Sequence, residues 1–180
     1  MRYTVRVVSI RLGWGAPMPT GDDNSEIVEL LVTHEKILAE LYLLYAERYD
    51  EHDAFWMQLH HDELVHVDLI RSLNQRVAQG VALFNAERLD VGALQAVVRY
   101  ARSMLNYVRQ QWPTLAAAVA IAIDLEDSII EKGIFEIFVA DSPETSQAFA
   151  QMIETFDEHM KSLRRFQAFI SPKKKPGTLQ

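Results

Sequence analysis

The stretch that decides the fold spans residues 56–73 and reads WMQLHHDELVHVDLIRSL. Apolar residues recur in it every three or four positions, which is typical of a helix with one face in a core. Glu63 and His66 are three positions apart, a rotation of roughly 300° that puts both side chains on one side of the helix. Three apolar residues share that side, namely Leu59, Ile70 and Leu73. The pattern therefore predicts a carboxylate and an imidazole inside the core.

A carboxylate in such surroundings needs a partner. Left unpaired and ionised it would cost roughly several kcal/mol, or its pKa would rise until it became neutral. A metal ion is one of the few partners that would stabilise Glu63 and His66 together. Glu-x-x-His is also common on solvated helices, so the metal hypothesis depends on whether other helices supply matching ligands.

Composition limits the classes of function. The chain has 180 residues, enough for one domain with a sizeable core. It has no Cys, which excludes disulfide scaffolds, thiolate zinc sites and cysteine nucleophiles but leaves the redox compartment undetermined. A net charge of −7 argues against nucleic-acid binding. No apolar run approaches the roughly 18 to 20 residues that span a bilayer. We predict a cytoplasmic protein, since nothing in the sequence indicates export.

Three segments differ in composition. Residues 1–24 are basic until Asp22, with a strand-like alternation at Tyr3, Val5 and Val7. We expect an extension of unclear role that lies on the domain, and a targeting presequence is the alternative. Residues 25–170 have the periodicity of a helical bundle, and residues 171–180 form a basic, solvated tail.

The periodicity and the turn residues predict five helices. Pro113 suits the first turn of one helix, and Ser142-Pro143-Glu144 suits the start of another. The expected helices cover about residues 23–48, 54–78, 91–111, 113–139 and 142–170. They form two hairpins joined by a connection of roughly 35 residues, as in an all-α four-helix bundle with one long crossover. The crossover contains the extra helix. A helical solenoid is the structural alternative.

Each of the four long helices has, on its apolar stripe, a residue of a type that binds metal ions. The candidate metal ligands are Glu35, Glu63, His66, Glu126 and His159. Each also has a simpler explanation. Glu35 alone could bridge to a Lys or Arg, His159 alone could be a hydrogen-bonded core histidine, and Glu126 could face inward merely because Asp124 and Asp127 flank it. Three carboxylates at one level of a core would repel one another unless cations balance them, and this favours a metal site.

The motifs in this order resemble the rubrerythrin-like branch of the ferritin-like di-iron carboxylate superfamily, over roughly residues 25–168. They are Glu35 with Tyr42 and Ala46-Glu47, Glu63-Leu64-Val65-His66, Ala122-Ile123-Asp124-Leu125-Glu126, and Asp157-Glu158-His159. The resemblance implies a ferritin-like bundle. Glu35, Glu63 and His66 would then hold one metal ion, Glu126 and His159 the other, and Glu63 would bridge the two.

The function implied is a non-haem di-iron oxidoreductase that reacts with peroxide or dioxygen, peroxidase-like or ferroxidase-like, and active in oxidative stress. Two irons are expected, and manganese suits the same mixed ligands. The chain lacks a cysteine-rich rubredoxin domain, so turnover would need an external electron donor. The large apolar residues along the helices favour a homodimer. Iron storage in a shell is a further alternative.

One position departs from the family pattern. Phe156 stands three residues before His159, where the pattern has a bridging Glu, and Glu154, Asp157 and Glu158 point to other faces of the helix. A bundle without that carboxylate would hold one metal ion, hold two weakly, or hold none. The alternative function is therefore a degenerate, non-catalytic helical bundle that acts as an interaction or structural protein.

The remaining motifs are weaker evidence for a functional site. His60-His61-Asp62 is expected on a solvated face, with a second metal patch or an outer set of contacts to the metal ligands as the alternatives. Tyr42 is either a hydrogen-bond donor or radical quencher beside the metal, or a core residue. Trp56, Trp112 and the Phe residues are expected in the core. The sequence assigns no catalytic residue and no organic cofactor site, since it has no phosphate-binding Gly loop and no nucleophile elbow.

Overall fold

The protein is an all-α fold with a small β-ribbon. A computed structural model describes residues 21–79, 82–84, 90–130, 138–140 and 143–171. The helices in these ranges are α1 (Gly21–Arg48), α2 (Asp53–Ala78), α3 (Val91–Gln110), α4 (Leu115–Ile130) and α5 (Pro143–Ile170). A 3-10 turn, Asp50–His52, joins α1 to α2. Two strands, β1 (Ala82–Phe84) and β2 (Phe138–Ala140), pair in antiparallel register. The N-terminal alternation and the Lys173-Lys174-Lys175 tail lie outside the described residues.

Local sequence explains where the helices begin and end. Asp90 caps α3, because its side chain accepts a hydrogen bond of 3.1 Å from the backbone N–H of Ala93. Pro143 occupies the first position of α5, where its missing N–H costs nothing. The prediction that α4 continues to Val139 is wrong. Its described helix ends at Ile130, and Val139 lies in β2 opposite Leu83. Phe138 and Val139 are aromatic and β-branched, residue types that favour a strand.

Side-chain contacts show in which direction α2 and α4 run relative to α1. α2 runs antiparallel to α1, since the rings of Tyr45 and Trp56 lie 4.9 Å apart near the turn and His60 contacts the carbonyl of Ala39 further along. α4 is also antiparallel to α1, because the Tyr49 hydroxyl donates to the Pro113 carbonyl at 2.6 Å near the start of α4. α1 is therefore flanked by two helices that run against it.

The remaining helices complete two hairpins. α5 runs antiparallel to α2, since Phe166 stacks on Phe55 with ring centroids 4.1 Å apart. α3 runs parallel to α1, because Gln95 donates to Glu26 at 2.7 Å near the start of both helices and Arg109 pairs with Glu40. The chain thus forms the hairpin α1–α2, returns along α1 through α3, and forms the second hairpin α4–α5.

The core follows the apolar stripes predicted from the sequence. Its largest fully buried side chains include Trp56, Tyr42 and Tyr45. Two aromatic residues expected in the core lie outside it: Trp112 is 44 % exposed and Phe169 is 77 % exposed. Trp112 lies between α3 and α4, where the guanidinium of Arg48 sits 5.4 Å from its ring. No helix in the described ranges has the length and apolarity needed to cross a membrane.

Candidate metal centre

All five ligands predicted from the sequence are buried together in the middle of the bundle. Each is at most 3 % exposed. α1 supplies Glu35, α2 supplies Glu63 and His66, α4 supplies Glu126, and α5 supplies His159. The amphipathic spacing that puts Leu38 and Leu163 in the core also puts these polar groups there.

Glu63 lies at the centre of the group, between two imidazoles. Its Oε2 is 3.0 Å from Nδ1 of His66. Its Oε1 is 3.1 Å from Nδ1 of His159. The two rings have centroids 4.9 Å apart. One carboxylate therefore touches an imidazole with each of its oxygens.

A second carboxylate accompanies each imidazole, so the group divides into two halves. In the first half, Oε2 of Glu35 is 3.4 Å from Nδ1 of His66. In the second half, Oε1 of Glu126 is 3.8 Å from Nδ1 of His159. Glu63 belongs to both halves through its two oxygens. Ligands at about 2.1 Å from one ion can be at most about 4.2 Å apart. The four carboxylate–imidazole distances are within this limit.

Residues behind the ligands hold several of them in place. The hydroxyl of Tyr42 donates to Oε1 of Glu126 at 2.8 Å, so Tyr42 is both buried and a hydrogen-bond donor to the candidate site. Oδ2 of Asp62 lies 3.0 Å from Nε2 of His159. Carboxylate contacts of this kind to the far nitrogen of a histidine fix its tautomer and ring orientation in metal sites.

His60 and Asp62 correct the expectation of a solvated face at residues 60–62. Nδ1 of His60 is 2.8 Å from the carbonyl oxygen of Ala39, and Asp62 is only partly exposed because it contacts His159. His61 alone is exposed as expected. Both corrected residues lie close to α1 or α5, and a single helix pattern does not show how near those neighbours come.

His34 is a buried residue of the site that sequence reasoning missed. It is fully buried, and its Nδ1 is 3.3 Å from Oε1 of Glu35. The signal was its spacing, since His34 lies three positions after Leu31 and four before Leu38, at the edge of the same stripe. Because it precedes Glu35 directly, it contacts that carboxylate from the side away from His66.

Electrostatics differ between the carboxylates. Burial opposes ionisation of Glu35, but hydrogen bonds from His34 and His66 outweigh it and hold the pKa of this carboxyl below its usual value. Burial raises the pKa of Glu63 well above its usual value, and the charges of Glu126 and Glu35 raise it further. Three buried carboxylates therefore repel one another across the centre.

The imidazole of the second half responds to this excess of acid. Burial alone would lower the pKa of His159, but contacts with Glu126 and Glu63 raise it from 6.5 to about 10. The pKa of the Tyr42 hydroxyl is also raised, first by burial and then by the charge of Glu126. The second half therefore attracts positive charge.

The buried carboxylate oxygens that lack hydrogen-bond donors would suit a bound cation. Among the described residues, Oε2 of Glu126 is buried and accepts no hydrogen bond, and Oε2 of Glu35 is buried with only the 3.4 Å contact to His66. Within the described residues, the ion-pair partners of these three carboxylates, Glu35, Glu63 and Glu126, are all histidines. Glu63, His66 and His159 each offer one atom within 4.8 Å of the others, a group that could hold a metal ion. Buried oxygens without donors and a surplus of carboxylates are what a metal ion would balance.

The position of Phe156 lies on α5, one turn before His159, and its side chain is outside the described residues. Of its acidic neighbours, Glu154 and Glu158 are exposed, and Glu158 pairs with Lys161 at 2.7 Å. The prediction that these two carboxylates point away from the site is confirmed.

No model of a known protein family matches the chain, and no curated protein and no solved structure is similar to it. The chemistry of the buried site is therefore what points to a function.

Proposed function

We propose that the chain is a ferritin-like, rubrerythrin-like protein that binds two metal ions and acts as a non-haem di-iron or manganese–iron oxidoreductase toward peroxide or dioxygen. Glu35, Glu63 and His66 hold one ion in the first half. Glu126 and His159 hold the other in the second half, and Glu63 bridges.

The observation that carries this proposal is the position of Glu63. Its two oxygens face two different buried imidazoles, at 3.0 Å and 3.1 Å. Each imidazole has a further carboxylate beside it, Glu35 or Glu126. A carboxylate that only balanced one protonated histidine would not need this two-sided environment. A bridging ligand does, because it must offer one oxygen to each ion.

The ligand types favour iron or manganese. The set contains oxygen and imidazole nitrogen but no thiolate, since the chain has no Cys. Carboxylate and imidazole mixtures suit iron and manganese, whereas carboxylate-only sets suit magnesium and calcium. A bound iron or manganese pair would supply the electron transfer that reduces peroxide or dioxygen.

The protein's own residues prepare the site for that chemistry. Tyr42 holds Glu126 through its hydroxyl, and Asp62 orients the ring of His159. The burial of all five ligands keeps bulk water away and strengthens their electrostatic interactions. With Phe156 in place of a carboxylate, the three carboxylates give the pair few protein oxygens, and this leaves ligand positions for small molecules.

The topology supports the ferritin-like assignment. Two antiparallel hairpins, α1–α2 and α4–α5, are joined by a crossover that contains α3, and inward-facing ligands come from the four hairpin helices. A homodimer through α2 is part of the proposal, because Met57, Leu64 and Val65 share one face and are 41–42 % exposed.

Anaerobic loading with Fe(II), followed by addition of peroxide, tests the function. We expect stoichiometric peroxide consumption and, with ascorbate as reductant, repeated turnover. A matched Glu63→Gln variant should lose both. Loaded protein that consumes peroxide no faster than the same amount of free Fe(II) would leave a structural or interaction role as the function. Sedimentation of the wild type and a Leu64→Glu variant tests the dimer.

A further inference from the structure

A cluster of aromatic side chains lies between the candidate metal centre and the α1–α2 turn. Tyr42 touches the centre, since its hydroxyl donates to Glu126 at 2.8 Å. Its ring stacks on Trp56 with centroids 5.9 Å apart and planes at 26°. Trp56 in turn lies 4.9 Å from Tyr45 and 6.4 Å from Tyr49. These side chains form a continuous contact from a proposed ligand to the end of the bundle.

The two tyrosines beyond Trp56 differ in their surroundings. Tyr45 is fully buried, and among the described residues its hydroxyl has no hydrogen-bond partner. Tyr49 is partly exposed, and its hydroxyl donates to the Pro113 carbonyl at 2.6 Å. A tyrosine gives up an electron easily only when its proton can leave at the same time. A backbone carbonyl does not keep a proton, so Tyr49 must pass its proton to solvent at its partly exposed side, whereas Tyr45 has no described neighbour that accepts one.

The other aromatic neighbours of Trp56 offer no further path for an electron. Phe55 and Phe166 pack against it at 5.0 Å and 5.8 Å. Phenylalanine is much harder to oxidise than tyrosine or tryptophan, so neither ring passes electrons on. Nε1 of Trp56 has no hydrogen-bond partner among the described residues, so oxidised Trp56 keeps its proton and remains a short-lived cation radical.

We propose that Tyr49, Trp56 and Tyr42 form an electron relay, which carries single electrons from a small one-electron donor at the surface to the metal pair. This proposal rests on the proposed function, because the metal pair with peroxide or dioxygen is the final acceptor. Tyr45 touches the relay but is not part of it.

Each step balances electrons and protons. Tyr42 gives one electron to the metal pair, and its hydroxyl proton shifts along the existing hydrogen bond to Glu126 Oε1. Trp56 gives one electron to Tyr42, and that proton returns to the Tyr42 oxygen. Tyr49 gives one electron to Trp56 and its hydroxyl proton to water. An external donor such as ascorbate returns one electron to Tyr49, which regains a proton from water.

The relay can be tested without any metal, because the natural chain has no Cys and only three Trp. A Glu51→Cys substitution in the exposed turn beside Tyr49 carries a ruthenium photo-oxidant. Trp14→Phe and Trp112→Phe leave Trp56 as the only tryptophan. Flash oxidation of the ruthenium label is then followed by transient absorption of the tryptophan radical.

We expect the Trp56 radical to be short-lived in this parent protein because Tyr49 reduces it, to persist longer in the Tyr49→Phe variant, and to decay as in the parent in the Tyr45→Phe variant. Each variant removes one hydroxyl and keeps its ring, so the two are matched. If Tyr49→Phe fails to fold, difluorotyrosine at position 49 keeps the hydroxyl and should change the lifetime of the Trp56 radical. An unchanged lifetime in the Tyr49 variants, or an equal lengthening in Tyr45→Phe, would overturn the relay. Since no metal is present, this outcome is independent of whether the chain binds iron.

Discussion

The two halves of the candidate metal centre have opposite electrostatic character. In the first half, the carboxylate of Glu35 is flanked by two imidazoles, His34 and His66, and its pKa is held low. In the second half, the imidazole of His159 contacts three carboxylates, Asp62, Glu63 and Glu126, and its pKa is raised to about 10. The first half therefore holds an ionised carboxylate, and the second holds a protonated imidazole.

This difference affects how each half binds a metal ion. In the first half, Glu35 is already held in the charge state that a cation needs. In the second half the cation must displace the proton on His159, although the surrounding carboxylates attract the cation. We therefore expect the second half to bind metal with a strong dependence on pH.

Loss of the shared carboxylate should have the largest effect. Glu63→Gln removes an ionised oxygen from both halves and keeps the side-chain volume, so we expect both ions to be lost. Isothermal titration with Mn(II), which avoids oxidation during the measurement, gives the stoichiometry. Glu154→Gln is the control, since Glu154 is an exposed carboxylate on α5. Retention of both ions by Glu63→Gln would show that it does not bridge.

Single-half variants should each remove one ion. Glu35→Gln should empty the first half, and Glu126→Gln should empty the second, so the stoichiometry falls from two to one in either case. Loss of both ions from either variant would mean that the halves do not bind independently.

Contacts behind the ligands should have smaller effects that stay within one half. Such contacts typically contribute roughly 10–100-fold in metal affinity. His34→Gln should weaken the first half, and Asp62→Asn should weaken the second. His61→Gln, at an exposed position beside Asp62, serves as the control. An equal effect of both variants on both ions would contradict the division into halves.

The pH dependence should come from the second half. Because the folded state holds the proton of His159 more tightly than the unfolded chain, this group stabilises the metal-free protein fully below pH 6.5. That stability is lost as the pH rises through about 10. The melting temperature of wild type minus that of His159→Gln should fall over this window, and metal affinity of the second half should rise. A difference independent of pH would refute the assignment.

Much of the fold and of the site follows from helical periodicity. The spacing of apolar residues places Glu35, Glu63 and His66 on buried faces, and turn residues such as Pro143 mark where helices begin. The order of helices then brings ligands from separate hairpins to one level. Those predictions depend on the 3.6-residue repeat, which is a property of each helix alone.

The parts that sequence could not give depend on contacts between helices. Asp62 was placed in solvent because its helix pattern does not show that α5 brings His159 within 3.0 Å. The end of α4 was placed too late, because the pairing of β2 with β1 competes with the helix across a long stretch of chain. The sequence predicts Trp112 in the core, but it lies at the surface, where Arg48 gives its ring face a partner.

The metal content of the protein, purified without chelators and then titrated anaerobically with Fe(II), tests the central claim most directly. We expect two ions per chain, and a melting temperature that rises with the metal. Each ion should add about 2.7 kcal/mol to the free energy of unfolding when its free concentration is about 100 times its dissociation constant. A protein without specific metal, whose melting temperature does not change with Fe(II) or Mn(II), would contradict it.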